Sequence, residues 1–258
     1  MNIFKSPLKA ASALLLLAVT FPAQAEVDPA FHLYLLIGQS NMAGRGLVDA
    51  ESAQTHPKVL MFTKALEWKP ATDPLHFDKP VAGVGPGFTF GKVMAEQNPK
   101  VRIGLVPCAV GGTSIKVWLP GAEDPATKTH PYDDMLVRIT EAQKSGVLKG
   151  ILWNQGEADR NSGAVYGQQL TELIGRLRKE LHADVGFAGN ELPVFAEKDA
   201  ASAAAFNDTV HKLEGVVPKF ACVSAQGLTD KGDKVHYDAA SARILGKRYA
   251  EKMTQLQK

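Results

Sequence analysis

Four short polar clusters, each close behind an apolar run, contain the side chains that acyl chemistry uses. The first is Gly38-Gln39-Ser40-Asn41-Met42. A Ser directly after a buried strand presents its hydroxyl at the strand end and can aim its own N–H at an anion. The second is Cys108-Ala109-Val110-Gly111-Gly112-Thr113-Ser114, where paired glycines let a ligand approach the backbone and expose N–H donors. The third is Trp153-Asn154-Gln155-Gly156-Glu157-Ala158-Asp159. A side-chain amide there can donate to a developing oxyanion, and Glu157 and Asp159 bring acids to the same edge. The fourth runs from Asp230 to Asp238 and holds Asp233 and His236 at i, i+3. In one helical turn that spacing sets the two side by side. The carboxylate then accepts from Nδ1–H and leaves Nε2 as a base, with Asp230 and Asp238 competing for the orienting role.

Each cluster alone also reads as plain structure: an N-cap Ser, a tight turn, a surface Asp-His pair. The first lacks the Gly-x-Ser-x-Gly elbow, and the second lacks the Gly-Lys-Ser/Thr of a phosphate loop. Glu157 and Asp159 are close in sequence, which suits orienting neighbours or binding a sugar hydroxyl better than a glycosidase pair. Together the clusters supply a nucleophile, oxyanion donors, a base and its orienter, the parts needed for acyl transfer.

The elements that must position them alternate in type. Apolar runs at 33–37, 101–107, 147–153, 185–188 and 220–224 read as buried strands, and 59–62 is a shorter apolar piece. Helical spacing marks 88–97, 132–145, 166–181, 200–213 and 239–253. The Pro- and Gly-rich stretch 64–87 reads as a long surface loop. Strands separated by helices imply a parallel sheet covered on both faces, with ligands beyond the carboxyl ends of its strands.

Composition bounds the rest. In 258 residues, 45% are hydrophobic and 22% charged, ordinary for a folded domain. Lys and Arg number 29 against 27 acids, which is not the footprint of a nucleic-acid binder. Lys5 and Lys9, the apolar run 10–19 and Ala23-Gln24-Ala25 read as a signal peptide over residues 1–25. Export to a periplasmic or extracellular location is expected, with residues 26–258 as one domain and no membrane association after cleavage. No Cys-x-x-Cys or His-rich cluster points to a metal.

The clusters GQSNMAGRG (38–46), PCAVGGTSI (107–115), WNQGEAD (153–159) and DKVH (233–236) resemble the SGNH/GDSL hydrolase superfamily. Within it, the likeness is to the sialate O-acetylesterase-like group, which includes acetyl xylan esterases of carbohydrate esterase family 6. Gly-Gln-Ser in place of Gly-Asp-Ser, and Gln155 in place of an Asn, match this subgroup. The resemblance implies a flavodoxin-like α/β/α sandwich with five parallel strands in the order 2-1-3-4-5. It implies hydrolysis of O-acetyl esters on carbohydrates without metal or cofactor. Ser40 would be the nucleophile, His236 the base and Asp233 its orienter. Ser40, Gly112 and Gln155 would form the oxyanion hole. A small acyl pocket is also implied. Arg45, Trp118, Glu157, Asp159 and Arg160 lie near the motifs and are candidates for sugar contact, with Glu157 favoured at the site edge. On the implied strand order Cys108 and Cys222 follow opposite edge strands and form no disulfide. Other readings are a short- or long-chain acyl esterase, thioesterase or acyltransferase on the same scaffold, and a non-catalytic carbohydrate-binding protein.

Overall fold

The computed structural model describes Met1 and residues 26–258, so the signal-peptide reading lies outside the described residues. The chain runs β1 (Asp28–Gly38), α1 (Ser40–Ala43), β2 (Val59–Phe62), β3 (Trp68–Pro70), α2 (Pro86–Gln97), β4 (Arg102–Pro107) and α3 (Pro131–Ala142). It continues through β5 (Gly146–Asn154), α4 (Gly163–Glu180), β6 (Gly186–Asn190), α5 (Ala200–Leu213), β7 (Phe220–Val223) and α6 (Ala239–Leu256).

Side-chain alternation on β1 builds two cores. Leu33, Leu35 and Ile37 point into one, with Tyr132, Met135 and Ile139 of α3, Leu170 and Ile174 of α4, and Phe206 and Val210 of α5. Tyr34 and Leu36 point into the other, with Phe90 and Met94 of α2 and Leu245 and Tyr249 of α6. A strand buried on both faces must be apolar at every position, which is why Leu33–Ile37 is an unbroken hydrophobic run.

The sheet has seven strands in the order β3-β2-β4-β1-β5-β6-β7. Its five central and right-hand strands, β4-β1-β5-β6-β7, are all parallel and follow the expected order 2-1-3-4-5. The expectation of a five-stranded, wholly parallel sheet is corrected by two further strands at one edge. β2 pairs parallel with β4, and β3 pairs antiparallel with β2, so the sheet is mixed. β3 lies inside the stretch read as a loop. It has three residues and ends in Pro70, a residue that edge strands tolerate because no ladder N–H is needed there. Trp68 anchors it, packed on Phe31 and Phe62 with ring centroids 4.7 Å away in each case.

The edge strands also revise the placement of the cysteines. Cys108 follows β4, which is interior to the sheet, and Cys222 lies within edge strand β7. Four strand spacings of about 4.8 Å set these strands roughly 19 Å apart, far beyond disulfide reach. Both thiols are free.

After β1 the chain builds β2, β3 and β4 on one side, then crosses to β5 on the other. The reversal opens a crevice at the carboxyl end of β1, between β4 and β5. No helix among the described residues is long and apolar enough to cross a membrane.

Candidate active site

β1 ends at Gly38, whose φ of +124° is open to glycine. A Cβ there would stand 2.1 Å from the Asn154 carbonyl oxygen of β5, so the turn to Ser40 requires Gly. Gln39 N–H donates to that same carbonyl at 2.8 Å and fixes the turn on the sheet. Ser40 is the first residue of α1, so its N–H has no acceptor within the helix. Its side chain sits in the crevice with the residue 6% exposed.

The base side comes from the connection between β7 and α6. His236 Nε2 lies 3.1 Å from Ser40 Oγ, and Nδ1 lies 2.7 Å from Asp233 Oδ2. A carboxylate only accepts, so Nδ1 carries the proton and Nε2 is left to accept from the serine hydroxyl. Asp233 Oδ1 accepts from the N–H groups of Val235 (2.9 Å) and His236 (2.8 Å). Burial penalises the Asp233 carboxylate. The hydrogen bonds from the His236 ring and from the two N–H groups outweigh this and hold its carboxyl well below the usual range. Asp230 and Asp238 are engaged elsewhere. Asp230 Oδ1 accepts from Gly232 and Lys234 N–H, and Asp238 caps α6 through Ser241 N–H and binds Thr229 Oγ1.

The loop after β4 supplies an open backbone. Gly112 has φ +86° and is exposed, and the nearest atom a Cβ there would meet is Lys79 Nζ at 3.9 Å. Val110 N–H donates to the Gly38 carbonyl at 3.0 Å, tying this loop to the end of β1. Asp78 Oδ2 accepts from Gly111 N–H at 2.9 Å and from Arg45 Nη2 at 2.7 Å.

The remaining expectations fare differently. Gln155 Nε2 donates to Gln39 Oε1 (3.2 Å), the Thr113 carbonyl (3.1 Å) and Asp159 Oδ2 (2.6 Å), and the residue is fully buried. All three partners are acceptors, so the amide orientation is fixed and its two hydrogens are committed. These bonds join the Ser40 turn to the Gly112 loop. Trp118 is corrected. It has no exposed surface, packs edge-on against Trp153 at 5.3 Å and donates Nε1–H to Thr113 Oγ1, so no sugar ring can stack on it. Arg45 is buried in its ion pair with Asp78.

Asp159 accepts from Ser114 Oγ and Ile115 N–H, both at 2.7 Å, and holds the far end of the Gly112 loop. Arg160 pairs with Asp199 at 2.7 Å. Glu157 is half-buried and turned inward: Oε1 accepts from Asn41 Nδ2, and Oε2 is buried without a hydrogen-bond partner. Burial pushes its carboxyl up, against the hydrogen bond from Asn41 and the nearby His236 and Arg160.

Two residues were missed. Asn41 stands inside GQSNMAGRG, next to Ser40, but only its place in the fold reveals its partners. Asp78 sits in the stretch read as loop, with no local signal. A cavity of about 450 Å³ adjoins this region, lined by His76, Asp78, Cys108, Val110 and Arg138 among others. It shares Asp78 and Val110 with the Gly112 loop surroundings but includes none of Ser40, Asp233 and His236. Among the described residues, no group of three or more His, Cys, Asp or Glu could hold a metal ion.

Residues 30–255 match the family model described as carbohydrate esterase, sialic acid-specific acetylesterase. A probable carbohydrate esterase of Arabidopsis thaliana is 33% identical, over 84% of this chain and 88% of its own length. A crystal structure of an Arabidopsis thaliana protein superposes with a TM-score of 0.77 at 29% identity, covering 88% of this chain and 99% of that one. A carbohydrate acetylesterase from Xanthomonas citri shares the fold, with a TM-score of 0.65 at 19% identity, covering 87% of this chain and 56% of that one. With a family match across nearly all its described length, the chain belongs to the carbohydrate esterase family of sialic acid-specific acetylesterases.

Proposed function

We propose that this carbohydrate esterase removes acetyl groups from sugar hydroxyls by a Ser-His-Asp mechanism, and that it does so after export. The observation that carries the mechanism is the continuous hydrogen-bonded chain from Ser40 Oγ through His236 to Asp233. Nε2 of His236 takes the Ser40 proton as Oγ bonds to the acetyl carbon. The carbonyl electron pair moves onto oxygen, which the N–H groups of Ser40 and Gly112 receive. Collapse breaks the bond to the sugar oxygen, and His236 returns the proton to that oxygen. Water then repeats the sequence on acetyl-Ser40 and releases acetate. Asp233 keeps Nδ1 protonated and stabilises the imidazolium formed midway. Export rests on the basic, apolar and small-residue pattern of residues 1–25.

The test is acetate release from acetylated xylo-oligosaccharides, O-acetyl sialic acid and a peracetylated monosaccharide, with Ser40→Ala in parallel. Release that Ser40→Ala abolishes is the expected result, and the preferred member identifies the sugar class. Faster turnover of longer acyl esters than of acetyl esters would replace this reading with a broader acyl esterase. Retained sugar binding without turnover of any ester would replace it with a binding protein.

A further inference from the structure

His236 is carried by a stretch that is exposed up to the buried Tyr237. Residues 231–235 are all exposed and contain no helix or strand. The hydrogen bonds that shape the stretch lie within it: Asp230 to Gly232 and Lys234, Asp233 to Val235 and His236, and Lys231 N–H to the His236 carbonyl. They define the shape of the loop, while the ring of Tyr237, packed edge-on against Phe195 at 5.4 Å, seats its C-terminal end on the core.

Among the described residues, Ser40 and Asn41 are the only hydrogen-bond partners outside this connection that residues 231–237 have. Asn41 takes hold on both sides of the base. Its Nδ2 donates to the Val235 carbonyl at 3.2 Å, and its Oδ1 accepts from Tyr237 N–H at 3.2 Å. The second Nδ2 hydrogen goes to Glu157 Oε1, which anchors the amide on the chain that follows β5. Asn41 is 3% exposed and directly follows Ser40 in α1.

We infer that Asn41 is the positioning residue that registers His236 on Ser40, by clamping Val235 and Tyr237 to the turn that carries the nucleophile. The inference rests on the esterase reading for its effect on rate, while the clamp itself is a statement about the loop. Because Asn41 and Ser40 are consecutive, any movement of α1 carries both, and the Ser40–His236 distance is preserved. Glu157 sets the amide of Asn41, so its place beside the site is structural.

The test uses the folded mature chain with Asn41→Ala, Asn41→Asp and the double variant Asn41→Asp/Glu157→Gln. In Asn41→Ala, kcat for acetyl ester hydrolysis should fall about 10- to 100-fold, as expected of a base displaced by the order of an ångström, with KM changed less than about twofold. Phosphonylation of Ser40 by a fluorophosphonate, followed by intact mass, should slow in parallel. Asn41→Asp should be worse, because its carboxylate faces Glu157 and the Val235 carbonyl. The double variant restores one bond with donor and acceptor exchanged and should recover part of that loss, an outcome that a merely structural role does not give.

Amide hydrogen exchange over residues 231–237 should quicken in Asn41→Ala while exchange in β1 and β5 stays as in the parent. Wild-type kcat and phosphonylation rate in Asn41→Ala, or unchanged exchange over 231–237, overturns the inference. Should Asn41→Ala fail to fold, Asn41→Ser, which keeps a small polar side chain, is read by the same three measurements. A parent chain that neither cleaves esters nor reacts with the fluorophosphonate sinks the esterase reading instead. Exchange over 231–237 then still decides the clamp.

Discussion

Ser40 stands at the end of β1, where Leu33–Ile37 are fully buried and packed on both faces of the sheet. His236 stands in a connection whose residues 231–235 are exposed. The nucleophile is fixed by apolar burial, at roughly 1.5–3 kcal/mol for each large side chain. The base is fixed by hydrogen bonds, each contributing only about 0.5–1.5 kcal/mol net, and by the buried ring of the Tyr237 that follows it. The two halves therefore differ in what a substitution removes. On the strand side a change in packing costs fold stability. On the loop side a change in bonding costs alignment and leaves the fold standing.

The sharpest test of this contrast is His236→Ala. Acetate release should fall by about 10⁵-fold or more, as in serine hydrolases that lose the base, with the melting temperature near that of the parent. A large drop in melting temperature would show that the loop holds the fold and would end the contrast. Asp233→Asn comes next, with a loss of about 10²–10⁴-fold in kcat. Asp233 is 36% exposed at its side chain, so its effect on stability should be small. Its depressed pKa contributes whatever stability it has above the ordinary value of 3.8, and that contribution disappears only as pH falls through the lower folded value. A pH profile of kcat/KM should accordingly show no step from Asp233 above about pH 4.

In the apolar core, Trp118→Ala should destabilise by about 3–5 kcal/mol in denaturant melts, since it empties a fully buried site against Trp153. Its kcat/KM on folded protein at low temperature should stay within about tenfold of the parent, because Trp118 meets no substrate. A selective loss of sugar binding without loss of stability would restore it as a substrate contact.

A pH-dependent effect concerns Asp73, buried between β3 and α2 and pushed up to about 7. Burial is the cause, partly offset by Arg243. A carboxyl raised in this way contributes stability that is full below about pH 4 and is lost as pH rises through about 7. Stability should decline by up to roughly 1.4 kcal/mol per pH unit across that interval, and Asp73→Asn should flatten the decline. An unchanged slope in Asp73→Asn would assign the decline to other groups.

The parts of the molecule legible in sequence were those with a local cause. β1 and β4 are continuous apolar runs because both faces are covered, and Asp-x-x-His declares its pairing through spacing alone. β3 has three residues and a proline, too little for any periodicity to register. Arg45 and Gln155 lie inside the motifs and Trp118 just beyond one, and this placement makes them look like site residues. What decided their roles was partners 30 or more residues away: Asp78 for Arg45, Trp153 for Trp118, and Gln39 for Gln155. A polar side chain near a motif braces it as readily as it meets a ligand, and sequence distance does not separate the two. Asn41 makes the same point in reverse. It stands in plain view, and its role appears only when a loop 194 residues downstream folds back onto it.

The separation of Cys108 from Cys222 has a consequence for how this protein is made. Burial pushes the Cys108 thiol up to about 11 and raises Cys222 as well, so neither is appreciably nucleophilic at neutral pH. Once folded, the protein holds two separated thiols that seldom ionise and no disulfide between them. Material refolded under reductant and material recovered from an oxidising compartment should be the same covalent species, with the same specific activity.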